Sequence, residues 1–191
     1  MRYLPAILLL SLAACDRQPA VPQEGVQRVA LDEAARETMA EPSPDTSGAR
    51  WSVAGDGQAI AFGYVEEEPF LTLACEVEAD PPEMVIIRHA TALPGQGALF
   101  PVLGNGMSSR FLVDATLGEG GWHWEARLPA EDPQLEVFEG TRDLIATLPG
   151  RGTLEIGGSR IPGEFVEWCR AGGMPEPVQA PTPETEETTE D

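Results

Sequence analysis

The chain has 191 residues, 32 of them acidic against 12 basic, and a formal net charge of −20. Every basic residue is an arginine. A field of that sign excludes nucleic acid and anionic lipid surfaces as partners held by charge, and the length suits one domain with one core.

The chain opens with an apolar run from Leu4 to Leu12, preceded by Arg2 and closed by Leu12-Ala13-Ala14-Cys15. The run is too short to cross a bilayer as a helix, and the small residues Ala13 and Ala14 leave a cleavage site open to a peptidase. These residues resemble the bacterial lipobox. The resemblance implies that 1–14 is a signal peptide, that cleavage precedes Cys15, and that Cys15 carries a diacylglycerol and an acylated (palmitate-type) amino terminus. Each buried methylene contributes about 0.8 kcal/mol, so two or more chains anchor stably where one is marginal. The expected location is the cell envelope, on a membrane facing the periplasm, with the lipid bilayer as partner through Cys15. Asp16 resembles the inner-membrane retention signal of enteric bacteria, and the choice between inner and outer membrane stays open.

Residues 15–49, the lipidated cysteine and the segment after it, are rich in Pro, Ala, Gln, Glu and Ser, with one helix-compatible stretch from Leu31 to Met39. They read as a flexible tether with a reach of about 30 Å. The globular domain is expected over 50–172. Short runs of β-formers recur there, at 58–65, 70–78, 83–89, 98–103, 109–117, 121–128, 142–148 and 152–156. In 70–78 the alternation puts Leu71, Leu73, Cys75 and Val77 on one face and Thr72, Glu76 and Glu78 on the other. In 121–128 it buries Trp122, Trp124, Ala126 and Leu128 and exposes His123, Glu125 and Arg127. Asp80-Pro81-Pro82, Pro94-Gly95, Gly104-Asn105-Gly106 and Pro149-Gly150 separate the runs as turns. From Ile161 to Ala171 the period changes to that of a helix. Pro162 suits its first turn, Glu164 and Arg170 complement the dipole, and Gly172 suits a left-handed stop. The tail, 173–191, has six acidic residues and no basic one, and is expected to be disordered.

With Cys15 assigned to the lipid, Cys75 and Cys169 remain, and in an exported compartment they are expected to pair. Closing that loop contributes about 4 kcal/mol in the chain-entropy picture. Two free thiols or a two-cysteine metal site are the alternatives. The fold class is mainly β, a small antiparallel sandwich or half-open barrel with one short C-terminal helix stapled to the strand at 70–78.

Residues with chemistry are sparse. His89 and His123 are the only histidines; His89 shares a parity with Val85 and Ile87 and reads as half-buried, His123 as solvated. No Cys or His spacing makes a zinc site, Asp56-Gly57 is a fragment of a calcium loop, and Glu66-Glu67-Glu68 and Glu131-Asp132 read as loop charges. Ser108-Ser109 lack a nucleophile-elbow frame, and Gly104-Asn105-Gly106 is a turn and not a phosphate cradle. Trp51, Trp122 and Trp124 are candidates for an aromatic binding strip, with core packing the competing use of Trp122, Trp124 and Trp168. No catalytic residue, cofactor or metal is expected.

Several features together resemble a set of uncharacterised short alphaproteobacterial lipoproteins with a two-cysteine β-rich domain. They are the Leu-Ala-Ala-Cys start, the strand Leu71-Thr72-Leu73-Ala74-Cys75, the run from Trp122 to Pro129, the turn Pro149-Gly150-Arg151-Gly152-Thr153-Leu154, and the late cysteine. The likeness spans about 58–170 and carries no catalytic residue with it. The expected function is a non-enzymatic, membrane-anchored domain that binds or scaffolds another envelope component, for which an envelope protein is the candidate partner. A lipoprotein hydrolase acting on envelope material, or a protein capturing a metal or small ligand, is the alternative.

Overall fold

The computed structural model describes residues 40–174. The signal peptide, Cys15, the tether up to residue 39 and the acidic tail from residue 175 lie outside the described residues.

Alternating apolar residues and left-handed turns build nine antiparallel strands: β1 (Arg50–Ala54), β2 (Ala59–Gly63), β3 (Leu71–Glu76), β4 (Glu83–Arg88), β5 (Gly97–Gly104), β6 (Met107–Gly118), β7 (Gly121–Pro129), β8 (Leu144–Thr147) and β9 (Thr153–Ile156). They form one sheet in the order β1-β2-β3-β4-β7-β6-β5-β8-β9. Among the described residues, ladder pairing does not close it, since β1 pairs only with β2 and β9 only with β8. Nevertheless Trp51 of β1 and Leu154 and Ile156 of β9 belong to the same buried cluster as Leu73, Ile86, Phe111 and Trp124 in the middle of the sheet. Strands at opposite ends of the order share a core only if the sheet curls around it. Of the two expected architectures, this single curled sheet is the half-open barrel rather than a two-sheet sandwich.

Strand pairing follows the side-chain parity. Leu71, Leu73 and Cys75 are buried as the alternation requires, and β4 sets Ile86 opposite Leu73 and Met84 opposite Cys75. The β5–β6 hairpin turns at Asn105-Gly106, both with positive φ, between the paired Gly104 and Met107. Such a two-residue loop matches the twist of its strands. Asn105 also holds the loop to the fold, donating from Nδ2 to the Val137 carbonyl at 2.9 Å and accepting from the Arg142 amide at 3.1 Å.

Besides the 3-10 turn Gly55–Gly57, two longer elements lie outside the expected pattern. Strand β1 is not among the expected runs; it is an edge strand in which Trp51 is buried and Val53 exposed. The segment Pro133–Phe138 forms a 3-10 helix that buries Leu135, Val137 and Phe138. Asp132, expected as a solvated loop charge, caps it by accepting from the Gln134 amide at 2.8 Å. Phe138 stacks on Phe111, with ring centroids 5.9 Å apart.

The expected domain start at residue 50 also differs from the structure. The Glu41 amide donates to the Gly150 carbonyl at 2.8 Å, and the Thr153 amide donates to Ser43 Oγ at 2.9 Å. Tyr64 Oη, just beyond β2, donates to the Asp45 and Ser47 carbonyls at 3.0 and 3.2 Å. Residues 41–47 thus form a strap from the β8–β9 turn to the end of β2, held by side chain and turn contacts and not by a ladder.

The C-terminal helix, α1 (Ile161–Arg170), buries Phe165, Val166 and Cys169. It ends at Gly172 and Gly173, both with positive φ, where the Gly173 amide bonds the Trp168 carbonyl at 2.9 Å. Arg170 does more than complement a dipole: it donates to the Ala130 carbonyl at 3.0 Å and to Glu139 at 2.6 Å. Cys169 meets Cys75 at disulfide-bonding distance, with Cα atoms 5.7 Å apart. Cys75→Ser with Cys169→Ser should therefore lower stability by about 2–5 kcal/mol. Denaturant unfolding of the double variant against the parent measures this, and reductant should lower the parent's midpoint but not the variant's.

Candidate functional site

The end of β4 and the β6–β7 hairpin border a cleft of about 640 Å³, to which the strap contributes Glu41 and the β2–β3 loop contributes Glu68. Its floor is Ile87, His89 and Thr91, and its other wall runs from Glu119 to His123. The hairpin comes close because Gly118 has no side chain: a Cβ there would lie 2.7 Å from the His123 ring. Among the described residues, three carboxylates line the cleft and no arginine does.

His89 is the most constrained group in the cleft. Its Nε2 is 2.8 Å from Thr72 Oγ1 across the β3–β4 ladder, and its Nδ1 is 3.8 Å from the exposed Glu68 carboxylate. The ring packs 6.2 Å from that of His123. Burial, then the neighbouring His123 and Arg88, push its pKa down to about 4, so it is neutral at pH 7. His123, expected to be solvated, is largely covered. It lies 3.2 Å from Glu125 Oε2, while Glu125 Oε1 accepts from Arg127 Nε at 2.7 Å and Arg127 continues to Glu76. These charges line the outer face of β7 and tie it to β3.

Thr72, His89 and Glu68 have the connectivity of a nucleophile, a base and its orienting acid. Thr72, however, does not line the cleft, and 3.8 Å is too long for the hydrogen bond that would orient His89. Their contact positions the ring. Among the described residues, no group of three or more His, Cys, Asp or Glu side chains comes together to hold a metal ion.

Behind the floor, two arginines are withdrawn from water. Arg88, the last inward position of β4, is 3% exposed and donates from Nη1 to the carbonyls of Phe70 and His89 at 2.9 and 2.7 Å. Arg151 is 4% exposed and donates to the carbonyls of Thr91 and Gly150. Thr91 also accepts from Trp124 Nε1 at 3.1 Å.

The candidate aromatic strip is not assembled. Trp51 and Trp124 are core residues, 6% and 4% exposed, whereas Trp122, expected in the core, is 39% exposed and lines the cleft. Its parity is that of Trp124, yet it stands beside Gly121 at the hairpin end, past the last residue with a core beneath it. By sequence Glu41 belongs to the tether, Glu68 to a loop cluster, and Glu119 carries no signal; only the fold brings them to one cleft. On the outer face of the sheet, Leu99 opposes Leu112 and Leu103 opposes Ile145, all exposed. Compared with known proteins, the chain matches no family model, no curated protein and no solved structure.

The depressed pKa of His89 sets a pH dependence. Unfolded, the imidazole protonates near its ordinary 6.5; folded, only near 4. Between those values the unfolded state binds more protons, so this group's contribution makes stability fall as pH drops from about 6.5 to about 4. His89→Gln should remove that component, read as the difference between the two proteins' unfolding free energies across the window. An NMR titration of the parent should show one histidine with a midpoint near 4.

Proposed function

We propose that this protein is a lipid-tethered envelope domain that binds without catalysing, and that the cleft beside Trp122 takes a cationic group of its partner. The single observation that carries the reading is a half-exposed tryptophan among three carboxylates, with no arginine among the described lining residues. An ammonium or guanidinium gains from the ring face of a tryptophan and from the carboxylates of Glu68 and Glu119, while Glu41 already lies 3.8 Å from Arg151 Nε. Because the carboxylates do not converge on a point, they suit an organic cation better than a bare metal ion. The neutral His89 adds no opposing charge. The net charge of −20 attracts such a group from a distance.

The tether rests on the lipobox-like Leu12-Ala13-Ala14-Cys15. Among the described residues no helix is long and apolar enough to cross a membrane. The exposed pairs Leu99–Leu112 and Leu103–Ile145 offer apolar area for a protein partner, in keeping with a scaffold role. The hydrolase alternative finds less support, because Thr91 is the sole hydroxyl side chain among the described lining residues.

Two measurements test the proposal. Calorimetric titration with alkyl diamines and arginine amide should give binding that weakens with salt, and Trp122→Ala should weaken it by about tenfold. No binding of any amine, or no effect of the substitution, removes the cleft reading. Separately, Cys15→Ser should abolish palmitate labelling in the native host and leave unprocessed precursor. A variant that is still labelled and processed removes the anchor.

A further inference from the structure

Strand β9 ends the sheet order, so one of its edges has no ladder partner, and the alternation of an antiparallel ladder decides which groups stand on that edge. The Leu148 amide donates to the Gly152 carbonyl across the β8–β9 turn, which makes Leu148 with Gly152 a hydrogen-bonded pair and Thr147 with Thr153 a non-bonded one. The bonded pairs continue as Ala146 with Leu154 and Leu144 with Ile156, while Thr153 and Glu155 turn their amides and carbonyls away from β8. The Thr153 amide shows the direction by donating to Ser43 Oγ of the strap at 2.9 Å. Glu155, two residues on, points the same way.

Beyond Ser43 the strap leaves this edge. Its bonds go elsewhere: the Ser47 carbonyl accepts from Tyr64 Oη at 3.2 Å, and the Thr46 carbonyl accepts from the Ala49 amide at 3.0 Å. A groove of about 500 Å³ remains, with residues 46–49 on one side and Asp143, Ile145, Glu155 and Gly157 on the other. Among the described residues, none bonds the outward amide or carbonyl of Glu155. A Cβ on Gly157 would meet nothing within 4 Å, so the groove stays open past the end of β9.

We propose that this groove takes an extended segment of a partner protein, which adds to β9 as a further antiparallel strand and sets a basic side chain against Glu155. In such a pair Glu155 and the residue opposite exchange both backbone hydrogen bonds, and their side chains share the outer face. Ile145, opposite Glu155 on β8 and 48% exposed, lines the same groove and offers an apolar bed for the stem of a long basic side chain. The residues flanking the basic one face inward, on the side of the buried Leu154 and Ile156, and suit β-formers. Charge selects the occupant. A second copy paired antiparallel at this edge would bring Glu155 toward Glu155 with a net charge of −20 on each chain, whereas the groove offers a basic segment Asp143 and Glu155 and no arginine among its described lining residues. The groove and the Trp122 cleft share no described lining residue, so this inference does not rest on the cleft reading.

The probe is acetyl-Thr-Val-Arg-Val-Thr-amide, titrated into the 15N-labelled full chain. The amide resonances of Ser47, Glu155 and Gly157 should move together, and the Glu155 amide should exchange with solvent more slowly when peptide is bound. Glu155→Gln, at an exposed position, should weaken binding by about threefold and leave the Tm unchanged. Methylating the backbone nitrogen of the peptide's arginine, which removes the donor to the Glu155 carbonyl, should weaken it by about tenfold. Absence of shifts at the groove, shifts confined to Trp122 and His123, or unchanged affinity in either comparison overturns the proposal. So does protection of the Glu155 amide that rises with protein concentration in the peptide-free chain, which makes a second copy the occupant.

Discussion

A sheet that curls around one core without closing its ladder leaves two end strands to be dealt with, and most of the fold's irregular parts answer to that constraint. Unpaired strand edges are a liability, since their amides and carbonyls invite further strands. Here the strap runs along the opening. Apart from the Glu41 amide on the Gly150 carbonyl, it uses side chains where a strand would use backbone: Ser43 caps Thr153, and the Tyr64 hydroxyl reaches two strap carbonyls. The opening is thus covered by a segment that does not extend the sheet, which leaves its side chains, Glu41 among them, available at the mouth.

The same mouth concentrates buried charge. The inward parity of β4 passes from Met84 and Ile86 to Arg88, at the point where the core ends and the carbonyls of Phe70 and His89 are within reach. Arg151 enters from the β8–β9 turn. Their positive charge behind the floor, the neutral His89 above it and the carboxylates at the rim make a graded field across a short distance. A cation meets the acidic rim and the face of Trp122 first.

At the far end of the chain, α1 is held by three kinds of interaction with different physics. Phe165, Val166 and Cys169 bury apolar surface, the Cys75–Cys169 pair limits the unfolded chain, and Arg170 joins the helix to Ala130 and Glu139 beside the 3-10 segment. A close approach at Gly163, whose Cβ would lie 3.2 Å from the Glu139 Cα, lets the helix and that segment meet. The helix therefore supports β3 and the 3-10 segment and takes no part in the cleft.

The amino-acid sequence by itself determined the strands from β2 to β9, the turn at Asn105-Gly106, the helix with its glycine stop, and the inward direction of Cys75 and Cys169. All of these follow from two local quantities, side-chain alternation and backbone φ preference, that neighbouring residues settle among themselves. Edge strand β1 and the capped segment Pro133–Phe138 were less legible, because β1 buries only Trp51 and so lacks an apolar alternation, and Pro133–Phe138 packs on Phe111, a partner distant in the chain. The site was hardly legible at all. Trp122 and Trp124 share a parity, and only the end of the core beneath the hairpin decides that one is a lining residue and the other is buried. Glu41, Glu68, His89 and Glu119 are far apart in sequence and carry no common motif. Tertiary structure alone decided that they meet, because the curl of the sheet, the lack of a side chain at Gly118 and the strap across the opening are all long-range consequences of packing one core.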